Sequence, residues 1–225
     1  MTSHTDPPPG FQTVNNESSG SRLVLIRHGE AQCNALGVIG GPLGCGGLTD
    51  LGRAQAGALA ARLAATRELD DAVALYTSVL PRAIETAALL APGLPPSLRA
   101  TADCDLCELH PGVADGLTWA QFLERHGVPD WDHDPDAPLA PGAESWTGFA
   151  RRCEGAFSKL MSRHPGQRVV LVVHGGVVEN AMRAVLGAAP GARMRLPTAN
   201  CSITEIEFGA EMRLLRYNDR APLVA

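Results

Sequence analysis

The sequence predicts an α/β fold, a three-layer α/β/α sandwich around a mostly parallel sheet with an antiparallel strand at its edge. Three observations carry this expectation. Short apolar, β-branched runs alternate with longer segments of helical period. Two of the runs, 23–26 and 168–173, are apolar without alternation, as strands covered on both faces are. Each of these two runs stops at a His-Gly pair, His28-Gly29 and His174-Gly175.

Residues 1–21 are polar and rich in Pro, Ser and Asn, with neither the basic start nor the apolar stretch of a secretion signal. They are expected to be a disordered tail, and residues 22–225 a single domain, since no repeat or composition break divides them. The run 23–26 reads as a buried strand ending at Arg27-His28-Gly29-Glu30. After a glycine-rich loop over 37–47, Thr49 can cap a helix in which Leu51, Ala54, Ala58, Leu59 and Leu63 recur at helical spacing. Residues 71–76 read as a second strand. Thr77-Ser78 then lead into a helix carrying Arg82, Thr86 and Leu90, with Pro81 in the first turn, where its missing N–H costs nothing.

From 92 to 119 the pattern is irregular, with a short strand around 98–100 and Glu108 in the loop after it. Residues 127–142 are rich in Pro, Asp and Gly, which suits a surface excursion, and 109–142 are a candidate lid. A helix over 145–163 precedes the strand 168–173, and another helix runs to about 186. Residues 202–208 and 212–217 alternate around Gly209 like a hairpin or a pair of edge strands.

Composition excludes several functions. The chain has 225 residues, 45% of them hydrophobic, a net charge of −5 and no basic run, so neither nucleic acid nor an anionic membrane is an expected partner. Lys159 is the only lysine and sits in a predicted helix, which argues against a Walker A loop and against Schiff-base chemistry. No eighteen consecutive apolar residues occur, so no bilayer-spanning helix is expected, and the protein is expected to be cytoplasmic. Cys33, Cys45, Cys104, Cys107, Cys153 and Cys201 are scattered and read as reduced thiols. Cys104 and Cys107 form a lone C-x-x-C with no second pair or His pair at zinc spacing, so no metal is assigned to it.

In open parallel sheets ligands bind at the carboxyl ends of strands, where helix N-termini offer free N–H groups. Either histidine alone could simply be a strand-end residue bonded to a neighbouring carbonyl. Together they place two imidazoles on one edge, and Arg27 and the third strand end, with Ser78 and Arg82, bring two guanidiniums towards them. Such a cluster repels itself unless an anion fills it, and guanidinium geometry suits phosphate.

These residues, Arg27-His28-Gly29-Glu30 with Asn34, Leu48-Thr49 with Gly52 and Gln55-Ala56, Ser78 with Leu80, Arg82-Ala83 and Thr86-Ala87, Glu108, and Val173-His174-Gly175-Gly176, resemble the histidine phosphatase superfamily, also called phosphoglycerate-mutase-like. The resemblance spans about residues 22 to 219. It implies that His28 attacks phosphorus, that Arg27, Arg82, His174 and the Gly175 turn hold the phosphoryl oxygens, and that Asn34 lines the pocket. It also implies that Glu108 serves as proton donor, ahead of Glu30, Asp103 and Asp105. No cofactor and no metal is required, because arginines and a second histidine can stabilise the charge that a metal neutralises elsewhere.

The substrate expected is a small phosphorylated metabolite, hydrolysed as a monoester, and the macromolecular partner, if any, is a second copy in a homodimer. The acidic segment 129–136, if it overhangs the pocket, disfavours polyanions such as bisphosphoglycerate. Trp119, Trp131 or Trp146 could offer an apolar face to the leaving group. The 37–47 loop could form a mobile wall beside Asn34, or be a neutral insertion. The rival readings are a phosphoglycerate-mutase-type transferase and a catalytically silent binding module.

Overall fold

The computed structural model describes residues 20–127, 129–188 and 196–222. The expected tail lies outside these residues except for its last two, and Ser21 already belongs to the first strand, β1 (Ser21–Arg27). A short helix α1 (Gln32–Ala35) follows, then α2 (Asp50–Thr66). Thr49 caps α2 as expected, its hydroxyl accepting from the Gly52 N–H. The helix ends at Arg67, whose left-handed backbone (φ 56°) closes the last turn on the Leu63 carbonyl.

Next come β2 (Ala72–Thr77), α3 (Pro81–Leu90) and β3 (Ala100–Ala102). The strand expected at 98–100 therefore lies slightly later, where it pairs with the carboxyl-terminal half of β2. Helix α4 (Trp119–His126) begins where the segment read as irregular ends, and it carries a full capping box between Thr118 and Gln121. Helix α5 (Trp146–Arg163), β4 (Arg168–Val173), α6 (Gly175–Val185), β5 (Ile203–Phe208) and β6 (Met212–Asp219) complete the order.

The sheet order is β3-β2-β4-β1-β5-β6. The first four strands are mutually parallel, and β5 runs antiparallel to both β1 and β6. Two separate apolar layers explain the unalternating runs. Leu23, Leu25, Val169 and Leu171 face α5 and α6, against Phe149, Phe157, Val178 and Ala181. Val24, Ile26, Val170 and Val172 face α2 and α3, against Leu59, Leu63, Ala83 and Leu90. Every residue of β4 is buried, as a strand covered on both sides requires. A third, smaller cluster of Ile39, Ala114, Phe122, Leu139 and Ala140 gathers the long connections beyond the sheet's carboxyl edge.

Candidate active site

His28 follows the last residue of β1, and His174 follows the last residue of β4, two strands that are direct neighbours. Their rings lie 5.1 Å apart between centroids at an angle of 61°. Arg82, in the first turn of α3, reaches between them: its Nε is 3.1 Å from His28 Nε2 and 3.2 Å from His174 Nδ1. Its Nη1 donates to the Gly40 carbonyl at 2.7 Å. Pro81 occupies the turn's first position, and Ser78 Oγ accepts the Leu80 N–H ahead of it.

Protonation follows from the partners. His28 Nδ1 lies 2.6 Å from the Gly29 carbonyl, which can only accept, so Nδ1 carries the hydrogen and Nε2 keeps its lone pair. Burial holds the His28 pKa well below the usual histidine value, and Arg82 and then Arg27 push it the same way against the Gly29 bond. Burial followed by Arg82, His28 and Arg27 does likewise for His174. With its Nδ1 accepting from Arg82, neutral His174 carries hydrogen on Nε2, a buried atom without a partner among the described residues.

Arg27 donates through Nη1 to the Thr198 carbonyl, while its buried Nε has no partner among the described residues. Burial lowers its pKa, opposed by the nearby Glu108 charge and assisted by Arg82. Among the described residues neither Arg27 nor Arg82 forms an ion pair with a carboxylate. This is the unbalanced positive site anticipated from the sequence.

The four acidic candidates separate clearly. Glu30 turns away to α2, where its carboxylate accepts from the Thr49 hydroxyl at 2.8 Å. Asp103 and Asp105 face Lys159. Glu108 lines the cleft, and its Oε2 accepts from the Gly176 N–H at 3.0 Å, in the first turn of α6. A side chain at Gly176 would collide with that carboxylate and with Phe149, which explains the second glycine of His174-Gly175-Gly176. Gly175 lies against Arg27 Nε.

The cleft has a volume of about 460 Å³, and Arg27, His28, Asn34, Arg82, Glu108 and Gly175 all line it. Asn34 is exposed at its rim on α1. The rest of the wall is apolar and includes five aromatic side chains, Trp119, Phe122, Trp131, Trp146 and Phe149. All three tryptophans are therefore present, and Trp131 and Trp146 pack together at 5.6 Å. The 37–47 loop is tied down along its length rather than left as a free wall. The Asp115 carboxylate accepts from the N–H groups of Gly41, Leu43 and Gly44 at 2.8–2.9 Å, and Ile39 donates to the Leu117 carbonyl.

Several supporting residues escaped the sequence reading. Asn200 Nδ2 donates to the His28 carbonyl at 2.9 Å, from the far end of the chain. Thr86 Oγ1 accepts the Gly29 N–H and donates to the Arg82 carbonyl, joining β1's exit to α3. Arg152 holds Glu144 through two 2.7 Å bonds and donates to the carbonyls of Asp105, Cys107 and Glu108, fixing the loop that carries Glu108. Only Thr86 belonged to a quoted motif. The other two become visible only once distant segments meet. Gly29, Gly52 and Gln55 are likewise explained by packing: Gly29 abuts the Gly52 backbone, and Gln55 accepts the Glu30 N–H.

The pattern of the histidine phosphatase superfamily (branch 1) matches residues 23–220. The metal-independent phosphoserine phosphatase of Arabidopsis thaliana is 31% identical over 201 residues, covering 84% of this chain and 79% of that protein. Phosphoglycerate mutase-like protein 4 of the same plant is 32% identical over 186 residues, covering 81% and 77%. Among solved structures, a mycobacterial glucosyl-3-phosphoglycerate phosphatase complexed with VO3 superposes with a TM-score of 0.71 at 28% identity, covering 88% of this chain and 99% of that one. With two histidines and two arginines that meet no carboxylate among the described residues gathered at one sheet edge, and with this match over nearly the whole described chain, the protein belongs to the histidine phosphatase superfamily, branch 1.

Proposed function

We propose that the protein is a metal-independent phosphomonoesterase acting on a small phosphorylated metabolite through a phosphohistidine at His28. The observation that carries this reading is the Arg82 Nε–H shared between two neutral imidazoles, the lone pair of His28 Nε2 and that of His174 Nδ1, while His174 Nε2–H has no acceptor among the described residues. Phosphoryl oxygens entering the cleft accept the Arg82 N–H groups, which releases the His28 Nε2 lone pair for in-line attack. Arg27 Nε and His174 Nε2–H then find the acceptors they lack, and preorganised donors of this kind stabilise charge as it develops.

The His28 N–P bond forms as the ester P–O bond breaks, and Glu108 protonates the departing oxygen. Water then attacks phosphorus, Glu108 takes its proton, the N–P bond breaks and inorganic phosphate leaves. Depressed pKa values keep both imidazoles neutral, the form this chemistry needs. The apolar cleft wall supports a leaving group with an apolar or aromatic body rather than a second phosphate. Residues 109–142 supply much of that wall and would act as its lid.

The test is phosphate release from p-nitrophenyl phosphate and a panel of metabolite monoesters in EDTA. Turnover by the wild type and a loss of at least about a hundredfold in His28→Ala are expected. Tighter use of sugar phosphates than of aryl phosphates would refute the apolar leaving group. Isomerisation of 3-phosphoglycerate primed by bisphosphoglycerate, without free phosphate, would make the protein a transferase. Inactivity on every ester would leave a binding module.

A further inference from the structure

The C-x-x-C at Cys104 and Cys107 gains a third member in space. His110 Nε2 stands 3.6 Å from Cys104 Sγ, and Cys107 Sγ is 3.7 Å from Cys104 Sγ. The three ligand atoms lie within 4.8 Å of one another, and none of the three residues lines the cleft. In a tetrahedral zinc site, bonds of about 2.3 Å to sulfur and 2.0–2.1 Å to nitrogen place two sulfurs about 3.8 Å apart and sulfur about 3.6 Å from nitrogen. The two separations from Cys104 match those of a bound set, and the third, between Cys107 and His110, lies within 4.8 Å, so that a small turn of the His110 side chain completes the triangle.

The surroundings fit as well. The other ring nitrogen of His110 faces Glu144 at 3.6 Å, the carboxylate partner that orients a metal-binding imidazole. Glu144 is held in turn by Arg152, whose guanidinium also binds the Asp105 and Cys107 carbonyls, so ligand loop and supporting carboxylate are locked to one arginine. On the buried side the Ser78 hydroxyl donates to Cys107 Sγ at 3.2 Å, a bond that strengthens when the sulfur becomes a thiolate. Cys104 is exposed, which gives an ion its entry path and leaves the fourth coordination position to water.

We infer that Cys104, Cys107 and His110 form a binding site for a soft divalent cation of the zinc class, separate from the phosphate cleft. On binding, each cysteine exchanges its S–H bond for an S–metal bond and gives one proton to the buffer, and the His110 Nε2 lone pair completes the protein's share. The ion clips the chain on both sides of Glu108, at Cys107 and at His110, and so fixes the loop that presents that carboxylate. It takes no part in phosphoryl transfer, and activity in chelator is compatible with it.

The experiment titrates the full-length, metal-stripped protein with Co²⁺ under a phosphine reductant, which keeps both thiols reduced. The expected result is thiolate-to-cobalt charge-transfer absorption with the visible bands of tetrahedral cobalt, saturating at about one equivalent and bleached by Zn²⁺. Zinc should also protect Cys104 and Cys107 from alkylation, read by mass spectrometry. Cys104→Ser should abolish the charge-transfer signal at that stoichiometry and His110→Ala should weaken it at least about tenfold in affinity, while Cys45→Ser leaves it intact. Absence of the signal in the wild type, or its persistence in Cys104→Ser, would overturn the inference. Because the readout is spectroscopic, failure here does not touch the phosphatase reading, and loss of turnover in His28→Ala does not bear on the metal.

Discussion

Two arginine clusters in this molecule are built on opposite terms. Around Arg168, the first residue of β4, each guanidinium meets carboxylates: Arg168 binds Glu205 at 2.7 Å and Asp71 at 2.8 Å, Arg216 binds Glu205 and Glu68, and Arg62 binds Glu68 and Asp219. Burial there opposes ionisation of Glu68, yet hydrogen bonds from Arg62 and Arg216 hold its pKa below the usual carboxylate range. At the other end of the same strand, Arg27 and Arg82 meet carbonyls, imidazole nitrogens and the Cys33 sulfur, and no carboxylate among the described residues. The first cluster is neutralised from within and serves the fold. On the proposed reading the second keeps its charge for a phosphate that arrives from outside, and the same residue type then has two uses, set by what faces it.

Substitution should separate the two uses. Arg82→Lys keeps a positive charge but loses the guanidinium that bridges both histidines, and turnover should fall by about 10²–10³-fold, or about 2.7–4 kcal/mol of transition-state stabilisation. The folding midpoint should barely change. A loss under tenfold would mean that charge alone suffices. Arg168→Ala should do the reverse, destabilising the fold by about 3 kcal/mol while the folded fraction keeps wild-type kcat. That cost is at the lower end for removing one partner of a buried pair, because Arg216 still holds Glu205. Chemical denaturation and kcat measured on the same preparations decide between them, and a kcat defect in Arg168→Ala would break the distinction.

Inorganic phosphate should sharpen it. An anion that binds only the folded protein adds about 2.7 kcal/mol at a hundredfold excess over its Kd. The thermal midpoint of wild type and of Arg168→Ala should therefore rise with phosphate, and that of Arg82→Lys should not. Equal shifts in all three would place the anion elsewhere.

A pH dependence with a defined sign should accompany these effects. His28 and His174 are held neutral in the folded state, whereas the unfolded chain takes up their protons near pH 6.5. Stability should be flat above that pH and fall below it, by up to about 1.4 kcal/mol per pH unit for each histidine. Glu68 and Asp219, with lowered values, add a further loss only as pH drops through the carboxylate range. Denaturant midpoints from pH 7 to 5 should show the decline, roughly halved in slope in His174→Asn. A midpoint independent of pH across that range would contradict the neutral, buried imidazoles.

What could be read from the sequence was what depends on local order. The runs ending at His28 and His174, the Thr49 cap and Pro81 opening the Arg82 helix each rest on a few adjacent residues, and all appear where expected. The antiparallel end of the sheet followed from alternation around Gly209. The path from 92 to 142 was not legible, because its order comes from distant partners: Asp115 gathering three N–H groups of the 37–47 loop, and Arg152 gathering carbonyls from the Glu108 loop. The third ligand beside Cys104 and Cys107 was missed for a different reason. His110 stands at sequence spacing that a search for a second cysteine or histidine pair passes over, and only the turn of the loop brings it back.

The third apolar cluster has an evolutionary consequence. Ile39, Phe122 and Leu139 shape the aromatic wall of the cleft but belong to neither layer that packs the sheet. On the proposed phosphatase reading, drift in that small cluster would remodel which leaving group fits without disturbing the strands that carry His28 and His174. A lineage carrying this architecture can change its diet while keeping its teeth.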